Sequence, residues 1–236
     1  MSNRLEALNE AVRSNSVDAV IRLADQEAPV AALRHSTVAH NVSVPLLEAL
    51  TSRGYDFEQE VDRQDMAEGG MTLIYYPNVL KNEEAVRWLV EHGARLDRGE
   101  TSYRITPQPP TLLEQAVMYA SLPTIQLLHS KGAKVGRRTL HLAVAMAATV
   151  KADPSAPDDW AGYDLTKKSA DTRKRMGEVL PYLVDTMGLD VNADDFEGER
   201  RPPGHYGTPL RYAAEQGATK LINWLISKGA DPRQVD

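Results

Sequence analysis

The chain has 236 residues, of which 42% are hydrophobic and 25% are charged, and its formal net charge is −6 at pH 7. This composition is ordinary for a folded protein and excludes disorder as the dominant state. The negative net charge argues against a partner held mainly by phosphate contacts, because that mode needs a dense face of lysine and arginine. Nucleic acid is therefore not an expected partner.

The absence of cysteine excludes disulfides, thiolate zinc sites and cysteine nucleophiles. The polar N-terminus, residues 1–6, lacks the apolar run of a secretory signal. No segment approaches the ~18 apolar residues that are needed to span a bilayer. We therefore expect a soluble intracellular protein, in the cytoplasm or alternatively in the nucleus, without membrane contact.

Small and apolar residues recur at helical spacing along the first quarter of the chain. Aligned with the clearer units further along, they predict two helix–turn–helix units, at about residues 5–28 and 33–55. The second unit contains His35 and His40, whose five-residue spacing does not place two imidazoles on one helix face. A metal site is therefore not expected there.

Three later units share one internal spacing. It is 21 positions in each copy: Thr72 to Gly93, Thr111 to Gly132 and Thr208 to Gly229. Both halves of each unit carry apolar residues at helical spacing, and the closing glycine supplies a left-handed C-cap at which the chain turns back. These units cover about residues 72–94, 111–133 and 208–236.

Prolines interrupt two of the predicted helices. Pro77 falls inside the first helix of the third unit, which it should shorten or kink, and Pro181 raises the same expectation for the second helix of the fifth unit. The connections before units three, four and six are long and contain proline and glycine. They predict stiffened finger loops rather than strands.

The fifth unit covers about residues 138–189 and contains an insert at residues 147–169. Its closing Gly188 lies 50 positions after Arg138. The insert contains Trp160, and an exposed tryptophan usually packs onto something. Two placements stay open: the insert folds over its own unit, or it forms a lid over a binding face.

Several segments resemble the ankyrin repeat, whose pattern opens with Thr-Pro-Leu-His-x-Ala and closes with Gly-Ala-Asp. The matching segments are Thr208-Pro209-Leu210, Gly229-Ala230-Asp231 and Leu140-His141-Leu142-Ala143. The resemblance implies an all-α fold, an α-solenoid of six stacked helix–turn–helix repeats with projecting finger loops, which forms a single domain over residues 1–236. It also implies that His141 makes hydrogen bonds between neighbouring repeats and has no catalytic role.

The resemblance further implies that a partner meets the finger loops and the concave side of the first helices. In the family, two positions of the first helix usually point to that side and are commonly polar. In repeats three to five of this chain, the same positions are apolar. An apolar patch that faces water needs a ligand or a covering segment. The candidate binding residues are Leu80, Met118, Tyr119 and Met146 on this face, and Tyr76, Tyr103, Arg104, Trp160, Tyr206 and Arg211 around it.

The sequence leaves several functions open. The first hypothesis is a non-catalytic protein–protein interaction module that binds a protein partner through the finger loops and the concave face. The alternative is a small-molecule binding protein or atypical enzyme, with an apolar pocket closed by the insert; simple burial would also explain the apolar patch. A third hypothesis, a subunit that stacks on a larger array, rests on the apolar last helix. No nucleophile elbow, phosphate loop or dinucleotide fingerprint is present, so no catalytic residue, metal or cofactor is predicted.

Overall fold

The computed structural model describes residues 2–59, 71–97, 110–148, 170–196 and 207–234. Within these ranges the regular secondary structure is helical, with no strand. The α-helices there are α1 (Ser2–Arg13), α2 (Val17–Asp25), α3 (His35–Ala39), α4 (Val44–Thr51), α5 (Pro77–Leu80), α6 (Glu83–Glu91), α7 (Leu112–Tyr119), α8 (Leu122–Ser130), α9 (Thr139–Ala148), α10 (Ala170–Pro181), α11 (Pro209–Glu215) and α12 (Thr219–Ser227). The chain forms two compact units: unit 1, Met1–Ser102 with Tyr119–Lys134, and unit 2, Tyr103–Met118 with Val135–Asp236.

Unit 1 is a stack of helix pairs. Helix α1 contacts α2 and α3, and α3 contacts α5. The second helices of the pairs stack in the same way, α2 on α4, α4 on α6 and α6 on α8. Fully buried leucines fill the space between them, among them Leu8, Leu46, Leu50 and Leu89. Each helix therefore buries one face in its own pair or the next, as in repeat proteins.

Unit 2 is built around α9, which packs against α10, α11 and α12. The side chains of Leu140 and Val144 on α9 are buried, as are Leu183 after α10 and Leu225 on α12. Helices α11 and α12 also pack on each other as a pair. Helix α9 therefore forms the centre of the unit 2 core.

The closing glycines have the left-handed backbone that the sequence predicts. The φ angle is +86° at Gly93 and +97° at Gly229. After each glycine an alanine N–H donates back to the helix, from Ala94 to the Leu89 carbonyl at 2.9 Å and from Ala230 to the Leu225 carbonyl at 3.0 Å. This is the pattern of a glycine C-cap, so the prediction for these turns is confirmed.

The two prolines have different effects. Ahead of Pro77 the chain forms a 3₁₀ turn, Leu73–Tyr75, followed by Tyr76 in an extended conformation with ψ 136°. A proline disfavours the helical conformation of the preceding residue, so α5 begins at Pro77 and has only four residues. The predicted shortening is confirmed. Helix α10 includes Pro181 and passes into a π-helical turn, Tyr182–Thr186.

Candidate functional site

The start of α7 is held by a reciprocal pair of hydrogen bonds. The Thr111 N–H donates to Oε2 of Glu114 at 2.8 Å, and the Glu114 N–H donates to Oγ1 of Thr111 at 3.2 Å. This is a capping box, which satisfies two amides at the helix start. The other carboxylate oxygen of Glu114, Oε1, accepts the N–H of Arg138 at 2.7 Å. Glu114 is only 6% exposed and joins the start of repeat four to that of repeat five.

His141 makes the next connection, from repeat five to the segment that precedes repeat six. It is 1% exposed, and its Nε2–H donates to the Ala193 carbonyl at 2.9 Å. Burial lowers the pKa of His141 from the ordinary 6.5, although the Ala193 carbonyl and Asp195 act in the opposite direction. The expected hydrogen bond of His141 is therefore present, but its acceptor lies in the segment that connects repeats five and six.

A buried polar network closes the base of the finger loop before repeat six. The Asp195 N–H donates to the Gly207 carbonyl, and the Gly207 N–H donates to Oδ1 of Asp195, both at 3.1 Å. The Tyr212 hydroxyl donates to Oδ2 of Asp195 at 2.5 Å and accepts from Nη2 of Arg138 at 3.3 Å. Burial, with the hydrogen bond to Asp195, raises the pKa of Tyr212 to about 12, so the hydroxyl remains a donor. These contacts fix residues 195 and 207 against α9 and α11.

A groove in unit 2 lies directly beside this network. It has a volume of about 450 Å³ and separates the start of repeat five from the segment before repeat six. Its lining combines apolar side chains with charged ones of both signs. The residues are Gly136, Arg137, Leu140 and His141 on the repeat-five side, and Leu189, Asp190, Ala193 and Asp194 on the other. We call this feature the finger groove.

Backbone turns position the two acidic side chains of the finger groove. Oδ1 of Asp190 accepts the N–H of Asn192, and Oδ1 of Asp194 accepts the N–H of Phe196, both at 2.8 Å. The Asn192 side chain donates to the Gly229 carbonyl at 3.0 Å. This wall of the groove is therefore fixed to the C-terminal end of α12 as well as to His141. Hydrogen bonds therefore hold both walls of the groove in place.

The candidate residues in unit 1 are mostly covered. Leu80 is 0% exposed and Tyr76 is 7% exposed, so both side chains pack inside the unit. Tyr119 is half-buried, with the Lys81 ammonium 6.0 Å from the centre of its ring. Of these three, Tyr119 offers the most side-chain surface to a partner.

The candidate residues in unit 2 that the structure describes are half-buried: Met118, Met146 and Arg211. At the end of α7, the guanidinium of Arg175 donates to the carbonyls of Val117 at 3.1 Å and Met118 at 3.0 Å. A cation at the C-terminal end of a helix also complements the helix dipole. Tyr103, Arg104, Trp160 and Tyr206 lie outside the described residues, as does the insert from residue 149 to 169.

Sequence reasoning missed the aspartates that shape the finger groove. The role of Asp195 depends on Tyr212 and Gly207, which lie 17 and 12 positions away, and no local pattern marks that pairing. Arg138 is different, because it stands at the register position of Thr72, Thr111 and Thr208 in other repeats. An arginine in place of the threonine could have indicated that this position makes a different contact, which in the structure is the hydrogen bond to Tyr212. The capping box at Thr111 and Glu114 was also readable from the sequence.

Stacked helix pairs define the class of protein as an α-solenoid. The human ASB11 ankyrin repeat domain, in its crystal structure, is similar to this chain with a TM-score of 0.57 and 17% identity, over 96% of this chain and 85% of that one. At this identity the likeness shows the fold.

Sequence comparisons give the family. The ankyrin repeat family model matches residues 206–236. A fowlpox virus (strain NVSL) protein, FPV244, described as an ankyrin repeat protein, is 34% identical over 76 residues, which make up 29% of this chain and 10% of that protein. The chain thus spans about a tenth of that relative's length. The chain is an ankyrin-repeat protein, and the resemblance seen in its sequence is confirmed.

Ankyrin repeats are in general protein–protein interaction modules. In the described part of the chain, no helix is long and apolar enough to cross a membrane. The same part contains no cluster of three or more histidine, aspartate or glutamate side chains that could hold a metal ion.

Proposed function

We propose that this chain is a non-catalytic interaction module that binds an extended segment of a protein partner in the finger groove. The observation that carries the proposal is the groove itself, whose walls come from the start of repeat five and from the segment that precedes repeat six. A mixed lining of this kind suits a peptide, because an apolar floor gives affinity and a few charged groups give orientation.

The buried polar groups behind the groove support a binding role. Glu114 and Asp195 accept backbone amides, and His141 donates to the Ala193 carbonyl. These are structural hydrogen bonds that hold loops in place. They keep the groove in one shape before the partner arrives, which lowers the entropy cost of binding.

The partner is proposed to continue from the groove onto the inner helices. The half-buried Met118, Met146 and Arg211 of unit 2 are the contact candidates there. A contact by Tyr119 in unit 1 stays a separate prediction. Leu80 and Tyr76 are covered within unit 1, so an aspartate at Leu80 would test stability more than binding. Contacts by Tyr103, Arg104, Trp160 and Tyr206 stay predictions, as does a small-molecule pocket closed by the insert.

A peptide library displayed on phage tests the proposal, with selection on the full chain. Peptides enriched on the wild type should bind Ala193→Trp at least ten times more weakly, because the indole fills the groove while the Ala193 carbonyl can still accept from His141. The matched control is Ala7→Trp, an exposed position on α1 in unit 1. Thermal unfolding verifies that both variants are folded.

Two results would contradict the proposal. One is that no peptide is enriched on the wild-type chain. The other is that enriched peptides bind the folded Ala193→Trp variant as tightly as the wild type. In that second case the binding site lies elsewhere on the protein.

A further inference from the structure

His141 connects the two walls of the finger groove and has one buried ring nitrogen without a partner. Its Nε2–H donates to the carbonyl of Ala193, which lies on the opposite wall. A neutral imidazole that donates through Nε2 has its lone pair on Nδ1. Nδ1 is buried and makes no hydrogen bond in the described part of the chain. A second proton on the ring would therefore enter a place that bulk water does not reach and that offers no acceptor.

Charged groups from both walls act on the His141 ring. The carboxylates of Asp194 and Asp195 belong to the segment before repeat six, and the guanidinium of Arg138 lies just before α9. The Tyr212 ring on α11 meets the imidazole edge to face, with the ring centres 5.5 Å apart, and adds no charge because its hydroxyl stays protonated. Burial lowers the pKa of His141 most strongly and Arg138 also lowers it, whereas the two carboxylates and the hydrogen bond to the opposite wall raise it, with a net decrease. Neutral His141 is therefore the form that fits the groove with both walls in contact.

The wall before repeat six has a second attachment that does not involve α9. The Asn192 side chain donates to the Gly229 carbonyl at 3.0 Å, and its Oδ1 accepts the N–H of Asp231 at 2.8 Å. Both partners lie after α12, at the end of repeat six. This wall can therefore leave repeat five, and give His141 access to water, while it stays attached to repeat six.

We propose that the finger groove is acid-sensitive, because a proton on Nδ1 of His141 breaks its contact with Ala193 and separates the wall at residues 189–194 from α9. The groove is closed when His141 is neutral and open when the ring is protonated. As regulation of partner binding, the inference rests on the proposed function, because a segment that contacts both walls binds only the closed groove. The opening itself is a property of the free protein.

The size of the effect follows from proton linkage. In the open groove the ring has the ordinary pKa of 6.5, whereas burial lowers the pKa in the closed groove. The closed form is therefore fully favoured above about pH 6.5 and loses its advantage below it. The ratio of open to closed groove should rise by up to about tenfold between pH 7.5 and 5.5.

NMR of the isotopically labelled full chain follows the ring and the wall together. Long-range proton–nitrogen spectra show when Nδ1 of His141 takes up a proton, and the amides of residues 189–194 report on the wall. We expect the two sets of signals to change with one midpoint, below about pH 6.5. Hydrogen exchange of the same amides, corrected for the intrinsic effect of pH, should be up to about tenfold faster at pH 5.5 than at pH 7.5.

Two glutamine variants separate His141 from the other histidines. In His141→Gln the amide Nε2–H still donates to Ala193 and does not titrate, so the wall signals should be independent of pH. The matched control is His92→Gln in unit 1. His92 also donates to a carbonyl, that of Trp88 at 2.7 Å, but it is exposed and lies outside the groove. This control should keep the wild-type response of the wall.

Two results would overturn the inference. One is that the His141 ring takes up its proton while the wall amides stay unchanged, because the charged ring would then hold Ala193 in place. The other is an equal response of the wall in folded His141→Gln. If that variant does not fold, the wild-type titration decides alone.

A bound peptide distinguishes this inference from the proposed function. The probe is one phage-enriched peptide without histidine, aspartate or glutamate, and by reciprocity it should slow the exchange of the wall amides at pH 5.5. If the wall opens in acid but no peptide binds at pH 7.5, the opening stands and the proposed function is wrong. If the peptide binds in the groove at pH 7.5 and the wall stays in place at pH 5.5, the inference is wrong and the proposed function stands.

Discussion

The Tyr212 hydroxyl offers the sharpest test of the buried polar network at the base of the finger loop before repeat six. Tyr212→Phe removes one oxygen and keeps the ring, which is 4% exposed. The oxygen donates to the Asp195 carboxylate at 2.5 Å and accepts from the Arg138 guanidinium at 3.3 Å. Asp195 is 2% exposed, so water cannot easily replace the lost donor.

The size of the effect follows from the charges on both partners. A hydrogen bond to a charged group contributes about 1.5–3 kcal/mol, and a buried carboxylate that loses a donor adds a desolvation penalty. We expect Tyr212→Phe to lower the free energy of unfolding by about 2–4 kcal/mol. Unfolding by guanidinium chloride, followed by circular dichroism, measures this change. Hydrogen exchange of the Gly207 amide should also accelerate, because that amide donates to Asp195.

The comparator is Tyr55→Phe in unit 1. Tyr55 is also buried, but its hydroxyl is hydrogen-bonded to the ring nitrogen Nδ1 of His35 and not to a carboxylate. A hydrogen bond without a carboxylate partner contributes less, about 0.5–1.5 kcal/mol, so this variant should be the milder of the two. A Tyr212→Phe cost below about 1 kcal/mol, or no larger than that of Tyr55→Phe, would refute the assignment of Asp195 as a buried, charged acceptor.

Three further predictions concern the residues that join the repeats. Glu114→Gln should cost about 1–3 kcal/mol of stability, because two carboxylate oxygens accept two backbone amides and glutamine has one oxygen; chemical denaturation measures it. Gly136→Ala should be destabilising, because a Cβ there would lie 2.2 Å from the fixed Glu114 carboxyl. In Gly177→Ala the new Cβ meets nothing within 4 Å, so the variant should stabilise α10 by up to about 1 kcal/mol. Equal melting temperatures of the two variants would contradict this pair of predictions. His141→Gln should reduce the loss of stability between pH 7.5 and 5.5, measured by denaturation at both pH values. In the unfolded chain the histidine has its ordinary pKa of about 6.5, whereas the buried ring has a lowered pKa and takes up its proton only at lower pH. The contribution of His141 to wild-type stability is therefore complete above about pH 6.5 and decreases below it. An identical pH dependence in the variant would rule out His141 as the titrating group.

The sequence predicted the parts of this molecule that depend on local physics. Helix ends at Gly93 and Gly229, and the break before Pro77, follow from backbone conformations that the residue itself dictates. The family also followed, because its motif residues cap and join helices at fixed spacings. Each of these signals lies within one repeat.

The finger groove could not be predicted from the sequence, because it depends on contacts between residues that are far apart in the chain. His141 meets Ala193 52 positions away, and Arg138 meets Tyr212 74 positions away. The expectation for the concave face depended on the register of the first helices. In repeat three that helix is a four-residue turn, and Leu80 at its end is fully buried. Burial of this kind depends on tertiary packing, which no local pattern gives.

The third hypothesis from the sequence, stacking on a larger array, stays a prediction. Ile226 on α12 is 42% exposed. Among the described residues, Val135 is the other exposed large hydrophobic side chain, at 38%. Light scattering at several protein concentrations measures self-association directly. A monomer at all concentrations would contradict stacking between copies of this chain.

The most direct test of the finger groove as a binding site is NMR titration of the isotopically labelled chain with one peptide enriched by the phage selection. We expect saturable shifts of the backbone amides at residues 136–141 and 189–194, with unit 1 amides on α1 and α2 unchanged. The same peptide should shift none of these signals in the folded Ala193→Trp variant. Saturable shifts confined to other residues, with the groove amides unmoved, would contradict the assignment of the finger groove as the binding site.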